Sequence, residues 1–408
     1  MGTNPRGVDW RSILSVIFAL SVFMLALTFA IGLLAFMAIN RDTLLELDNS
    51  PLTTVLTAST LLAIGLLLLP AAWLSVKRLR GEEFGPFMLQ PVRPWEWAVY
   101  PVVWILTLTL ATLYYDAPGA VWYIPLLHFV SIALPLYFVL RIALNRISLG
   151  SSQRAWGVFG IGMTLGPLLA IMVEFFFIIL AVLVIALYLG FNPEQMAEAE
   201  RLVDQIQRTP NIDALLTQLG PLVKSPLTLF AGLAFLSFLV PIIEETTKSL
   251  GVWFVADRLQ FAAQGFALGA LSGAGFALAE SLSASLTPDD TWALTLAVRA
   301  ISGSMHVLAS GFFGWGIAQA RLEKRYLRLI GMILLAMFLH SAWNAGAVLS
   351  VWGGARVMMA MPGFDFLGAI AALSGVGILL FLMAGMIVTF FILNDRLRAS
   401  APAPIPAE

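Results

Sequence analysis

The sequence predicts an all-α polytopic membrane protein of about ten transmembrane helices. Three observations carry that reading. Hydrophobic residues make up 60% of the 408-residue chain and charged residues only 12%, where a soluble domain carries roughly 25% charged residues. The apolar residues gather in runs near or above the roughly 20 that cross a bilayer. Basic residues collect in alternate loops, as the positive-inside rule expects of cytoplasmic ones.

The runs lie near residues 12–38, 53–76, 97–114, 120–144, 157–190, 226–254, 261–285, 292–319, 329–352 and 368–393. The first exceeds the roughly 7–15-residue apolar core of a cleavable signal peptide, so it reads as a retained helix. The length of the fifth predicts a kink at Gly166-Pro167 or a tilt. Lys77, Arg78, Arg80 and Arg93 fill the second loop. Arg146 and Arg154, with Arg141 at the edge, lie in the fourth; Arg321, Lys324, Arg325 and Arg328 lie in the eighth; Arg396 and Arg398 follow the last run. In the first loop Asp42, Glu46 and Asp48 outnumber Arg41; Asp116 stands in the third, and Asp289 and Asp290 in the seventh. Both termini are therefore expected in the cytoplasm.

Residues 77–96 read as an interfacial cytoplasmic loop. Residues 191–225 read as an extracytoplasmic amphipathic loop of two short helices, Pro193 to about Gln207 and Asn211 to Leu219, lying on headgroups or covering a site. The tail from Ala399 to Glu408 is expected to be disordered.

Several function classes drop out early. A net charge of -1 gives no footprint for nucleic acid. The absence of cysteine removes disulfides, thiolate metal sites and thiol nucleophiles. Only three histidines occur: His128, His306 and His340.

The polar residues that interrupt the later runs point to chemistry. Glu244-Glu245-Thr-Thr-Lys248 interrupts the sixth, Phe276-Ala-Leu-Ala-Glu280 the seventh, Met305-His306 the eighth and His340-Ser-Ala-Trp-Asn344 the ninth. A charge deep in lipid costs from about 2.5 to more than 10 kcal/mol, so two adjacent carboxylates there imply a use. Lys248 shares a helical face with both glutamates, and Asn344 shares one with His340. Depth counted along each span brings His306, His340 and the glutamate pair near one plane, with Glu280 roughly 10 Å off it. A carboxylate beside another and away from bulk water gains proton affinity and can act as a general base. Neutral histidine and asparagine can donate to a developing oxyanion. These are the parts of a hydrolase. Neither a Gly-x-Ser-x-Gly elbow nor a His-Glu-x-x-His pair occurs. A divalent metal such as zinc, on Glu245, Glu280, His306 and His340, is also compatible with the residue types; the spacing alone leaves it open.

The ordered set Glu-Glu-x-x-Lys, Phe-x-x-x-Glu, a lone His and His-x-x-x-Asn resembles the PrsW family of intramembrane proteases, over roughly residues 226–352. That family is related to the type II CAAX prenyl endopeptidases and their bacterial immunity-type relatives. The resemblance implies peptide-bond hydrolysis of a membrane-anchored protein within or near the bilayer of a bacterial plasma membrane, in regulated proteolysis of an anti-sigma factor or a similar substrate. It implies that Glu244 and Glu245 form the water-activating pair, that Lys248 closes their motif, and that Glu280, His306, His340 and Asn344 complete the site. Asn344 stands where many members have Asp, which favours an oxyanion-donor role over metal binding.

The domain reading is an N-terminal membrane domain of about five helices at 1–190, the loop at 191–225, a catalytic block at 226–352, a final loop and helix at 353–398, and the tail at 399–408. Other readings stand beside these. Lys248 is expected to neutralise a carboxylate. Arg299 reads as a snorkelling residue rather than a counter-charge. Glu174 is left between a pairing with Arg299 and a water path, and His128 reads as structural. A proton-coupled transporter or a non-catalytic scaffold would use similar residues, but no repeat of the kind transporters carry is visible.

Overall fold

The computed structural model describes residues 9–40, 51–208, 220–360 and 363–400. Among the described residues, ten helical segments are long and apolar enough to cross a membrane, and they coincide with the ten apolar runs. The chain divides into two compact units. The first comprises Met1–Pro167, Glu245–Ala336 and Met386–Glu408; the second comprises Leu168–Glu244 and Met337–Gly385.

In the first unit, α1 (Trp10–Ile39) opens on Asp9, whose carboxylate accepts the Ser12 amide, and packs on α2 (Pro51–Leu79). Next, β1 (Pro86–Met88) pairs antiparallel with β2 (Ser148–Ser151). The expected interfacial loop thus contains a strand. Two segments this short carry no periodicity of their own, so a span count misses them. Gly150 sits at φ +82°, a left-handed conformation that turns β2 toward the next helix at little cost.

Between the strands come α3 (Glu96–Tyr114) and α4 (Ala120–Ala143). Arg141, counted above as a loop charge, is in fact buried. Its guanidinium grips the Glu96 carboxylate at 2.7 and 2.9 Å and donates to the Gln90 and Pro91 carbonyls. It therefore fixes residues 90–96, the end of that segment. His128, read from the sequence as structural, is buried, with Nε2 2.8 Å from the Ser285 hydroxyl.

The fifth span is broken into α5 (Ser152–Met163) and α6 (Leu165–Phe191). The break falls at Thr164, just before the expected Gly166-Pro167, because Pro167 cannot donate to the Met163 carbonyl.

The core of the first unit is α11 (Ala262–Ser283) on α12 (Trp292–Glu323). These helices are among the least apolar of the ten spans and the most completely buried. Glycines make their contact close. A Cβ at Gly269 would strike the Ser310 carbonyl, and one at Gly273 the His306 carbonyl. Gly269→Leu should therefore cost about 3 kcal/mol by overpacking. Thermal unfolding in detergent reads this as a lowered midpoint; an unchanged midpoint contradicts the packing.

In the second unit, α7 (Pro193–Arg208) is amphipathic and buries none of its residues, in keeping with the first helix of the expected loop. The second expected helix, Asn211 to Leu219, falls outside the described residues. The long helix α13 (Tyr326–Met359) runs past the expected end near 352, so part of the expected final loop is helical. Arg356, on that extra turn, pairs with Asp365 at 2.8 Å and donates to the Lys224 carbonyl, and both bonds hold the turn in place. Asp365 also accepts the Gly368 amide at the start of α14 (Phe366–Ser400).

That amide and the Arg356 guanidinium hold the Asp365 carboxyl below its usual 3.8, against the opposing effect of burial. A depressed carboxyl stabilises the fold above its unfolded value and ceases to as pH falls through the folded one. Asp365→Asn should accordingly flatten the fall in thermal midpoint below about pH 4. An equally steep fall in the variant contradicts this. The tail from 401 onward lies outside the described residues.

Candidate active site

The sixth span is where the helix changes character. Ser225 caps α8 (Pro226–Gly232), accepting the Leu227 amide. A π-helix follows over Leu233–Leu239, then α9 (Val240–Lys248) and α10 (Leu250–Trp253). Pro241 follows directly and has no N–H to give. The Val240 amide reaches back five residues to Phe235. Glu244 and Glu245 follow directly on α9. Adjacent helical residues point roughly 100° apart, so the two carboxylates face different surroundings. The division between the units falls between them.

In the first unit, Glu245 and Lys248 are fully buried and 2.9 Å apart. The other oxygen of Glu245 accepts the Ser310 hydroxyl at 3.2 Å. Lys248 Nζ is also 2.7 Å from His306 Nδ1 and 4.2 Å from the centre of the Phe276 ring. His306 Nε2 is 3.1 Å from one Glu280 oxygen, and Arg299 is 2.8 Å from the other. An ammonium only donates, so His306 Nδ1 accepts from Lys248. The chain Ser310, Glu245, Lys248, His306, Glu280, Arg299 is a continuous polar network, hydrogen-bonded from Ser310 to His306 and continued by ion-pair contacts to Glu280 and Arg299, where Glu280 Oε2 and Arg299 Nε and Nη2 make no hydrogen bond.

In the second unit, Glu244 and His340 are buried, with Oε2 3.7 Å from Nε2. Asn344, one turn beyond His340, donates its side-chain amide to the Leu236 carbonyl of the π-helix at 2.7 Å.

A family model described as PrsW family intramembrane metalloprotease matches residues 152–371, more than half of the chain. The chain belongs to the PrsW family. It is thus a multi-pass membrane protein of an intramembrane protease family, with a lipid bilayer and a membrane protein substrate as its implied surroundings. No curated protein and no solved structure matches it. The match begins with the fifth span, earlier than the 226–352 block read from the motifs.

The PrsW motifs acquire physical reasons here. In Phe276-x-x-x-Glu280, one turn of α11 presents the ring to Lys248 and the carboxylate to His306. Glu280 meets His306 despite the offset counted from the span ends. Arg299, read from the sequence as snorkelling, is instead the counter-charge of Glu280. The signal was present: it lies seven residues before His306, so one carboxylate can meet both. Ser310 was missed, although it lies four residues after His306 on the same face. The π-helix was missed as well, with Pro241 its only cue.

The donor set can be tested against a metal. Two ligands of one tetrahedral zinc lie roughly 3.3 Å apart, given bonds of about 2.0–2.1 Å. The Glu244–His340 separation of 3.7 Å suits such a pair. Of the other expected ligands, Glu245 and Glu280 are paired with the cations Lys248 and Arg299.

Proposed function

We propose that this PrsW protein hydrolyses a peptide bond of a membrane-anchored protein, and that Glu244 is the carboxylate that takes the proton from water. The observation that carries the reading is the contrast between the tandem glutamates. Glu245 spends both oxygens on Lys248 and Ser310. Glu244 faces a buried imidazole at 3.7 Å, a spacing wide enough for an intervening atom to be shared. A buried carboxylate beside an imidazole is placed to take a proton from a water held between them. His340 then supplies a hydrogen bond to the oxygen on which charge develops. The same carboxylate can return the proton to the leaving amine.

Glu244 and His340 are also the residues that would hold a divalent metal, which would supply Lewis-acid polarisation and a water of lowered pKa. Glu245, Lys248, His306 and Glu280 keep the helix that carries Glu244 in register with the network around it. A substrate with a single membrane span fits the family, and regulated proteolysis of an anti-sigma factor or similar protein is the role that follows from it.

The test is incubation of purified protein with single-span substrates in detergent or vesicles, with and without a chelator. Cleavage is expected. Its loss on chelation, restored by zinc, supports the metal; cleavage unaffected by chelation leaves Glu244 acting alone. Ion-coupled flux without any cleavage overturns the reading.

A further inference from the structure

We propose that Asn344 is a positioning residue: its amide replaces the N–H that Pro241 lacks and so fixes the wide helical turn that aims Glu244. This rests on the reading of Glu244 as the reacting carboxylate, and it departs from the oxyanion role the sequence suggests for Asn344.

Hydrogen-bond accounting leads to it. In a π-helix each carbonyl receives the amide five residues on. The Phe235 carbonyl receives Val240 in that register. The next carbonyl belongs to Leu236, and its partner would be residue 241, which is proline. A backbone carbonyl left unpaired away from water is costly, and more so in a membrane. Asn344 Nδ2 stands 2.7 Å from that oxygen. The carbonyl orphaned by Pro241 is therefore satisfied by a side chain from another helix, one turn from His340.

The consequence reaches Glu244. A π-turn holds one residue more than an α-turn, so collapse to α-helical register rotates everything after it by about 100°. Glu244 lies three residues beyond Pro241. Such a rotation would carry its carboxylate off His340. Asn344 acts through the helix, and touches neither water nor substrate to do so.

The experiment compares the wild type with Asn344→Leu, Pro241→Ala and the double variant. Thermal midpoint in detergent and initial rates on a single-span substrate are both measured. Asn344→Leu should lower the midpoint and cut kcat about tenfold or more, with KM little changed. Pro241→Ala alone, which gives Leu236 a backbone donor, should keep at least about a third of the rate. The double variant should recover both midpoint and rate to the level of Pro241→Ala.

A double variant as unstable as Asn344→Leu overturns the proposal, as does a marked loss of rate in Pro241→Ala alone. Recovery of the midpoint without the rate also overturns it, and returns Asn344 to oxyanion donation. If the wild type cleaves nothing while the midpoint coupling holds, the hydrolase reading fails and the Asn344–Leu236 support of the turn stands.

Discussion

Glu244→Gln is expected to lower cleavage of a single-span substrate by about 10²–10⁴-fold while the variant inserts and unfolds like the wild type. Glutamine keeps the size of the side chain and can still hydrogen-bond His340. What it loses is the capacity to take a proton, and nothing else at that position changes. The side chain is buried beside His340, and glutamine fills the same space, so stability should change little. Initial rates, with circular dichroism and thermal unfolding on the same preparations, check the result. Wild-type cleavage by Glu244→Gln would remove Glu244 from the chemistry.

Lys248→Met is expected to damage the fold. The lysine is fully buried and touches Glu245, His306 and the Phe276 ring. Taking one partner from a buried ion pair strands the other, at a cost of about 3–5 kcal/mol. Glu245 keeps only Ser310 among the contacts described above, and His306 loses the donor that fixes its tautomer. The midpoint in detergent should fall steeply. Adding Glu245→Gln to Lys248→Met removes the stranded charge, and most of the midpoint should return. A single variant as stable as the wild type would mean that the pair is not the keystone described.

Much of the architecture could be read before any coordinates, and the reason is the solvent. Lipid demands about 20 apolar residues per crossing and closed backbone hydrogen bonding, so ten runs became ten helical spans. The polar residues could be read for the same reason: a charge inside an apolar run has to be explained. Their partners could not. Arg299 lies outside every motif, and only the approach of α11 to α12 brings it to Glu280. Arg141 looked like a loop charge until the 90–96 segment folded back on it. The π-helix leaves one carbonyl without a backbone amide, and the donor that meets it comes from residue 344, more than a hundred positions away. The tandem glutamates looked equivalent along the chain. Their surroundings differ because adjacent residues on a helix point different ways.

The claim that one glutamate reacts while its neighbour holds the fold is tested most directly by a single comparison of rates. Glu244→Gln is measured beside the compensated variant Glu245→Gln/Lys248→Met on the same substrate. The compensated variant should cleave within about tenfold of the wild type, and Glu244→Gln should be slower by about 10²–10⁴-fold. A dead compensated variant that is still folded, beside an active Glu244→Gln, would assign the chemistry to Glu245 and contradict the account.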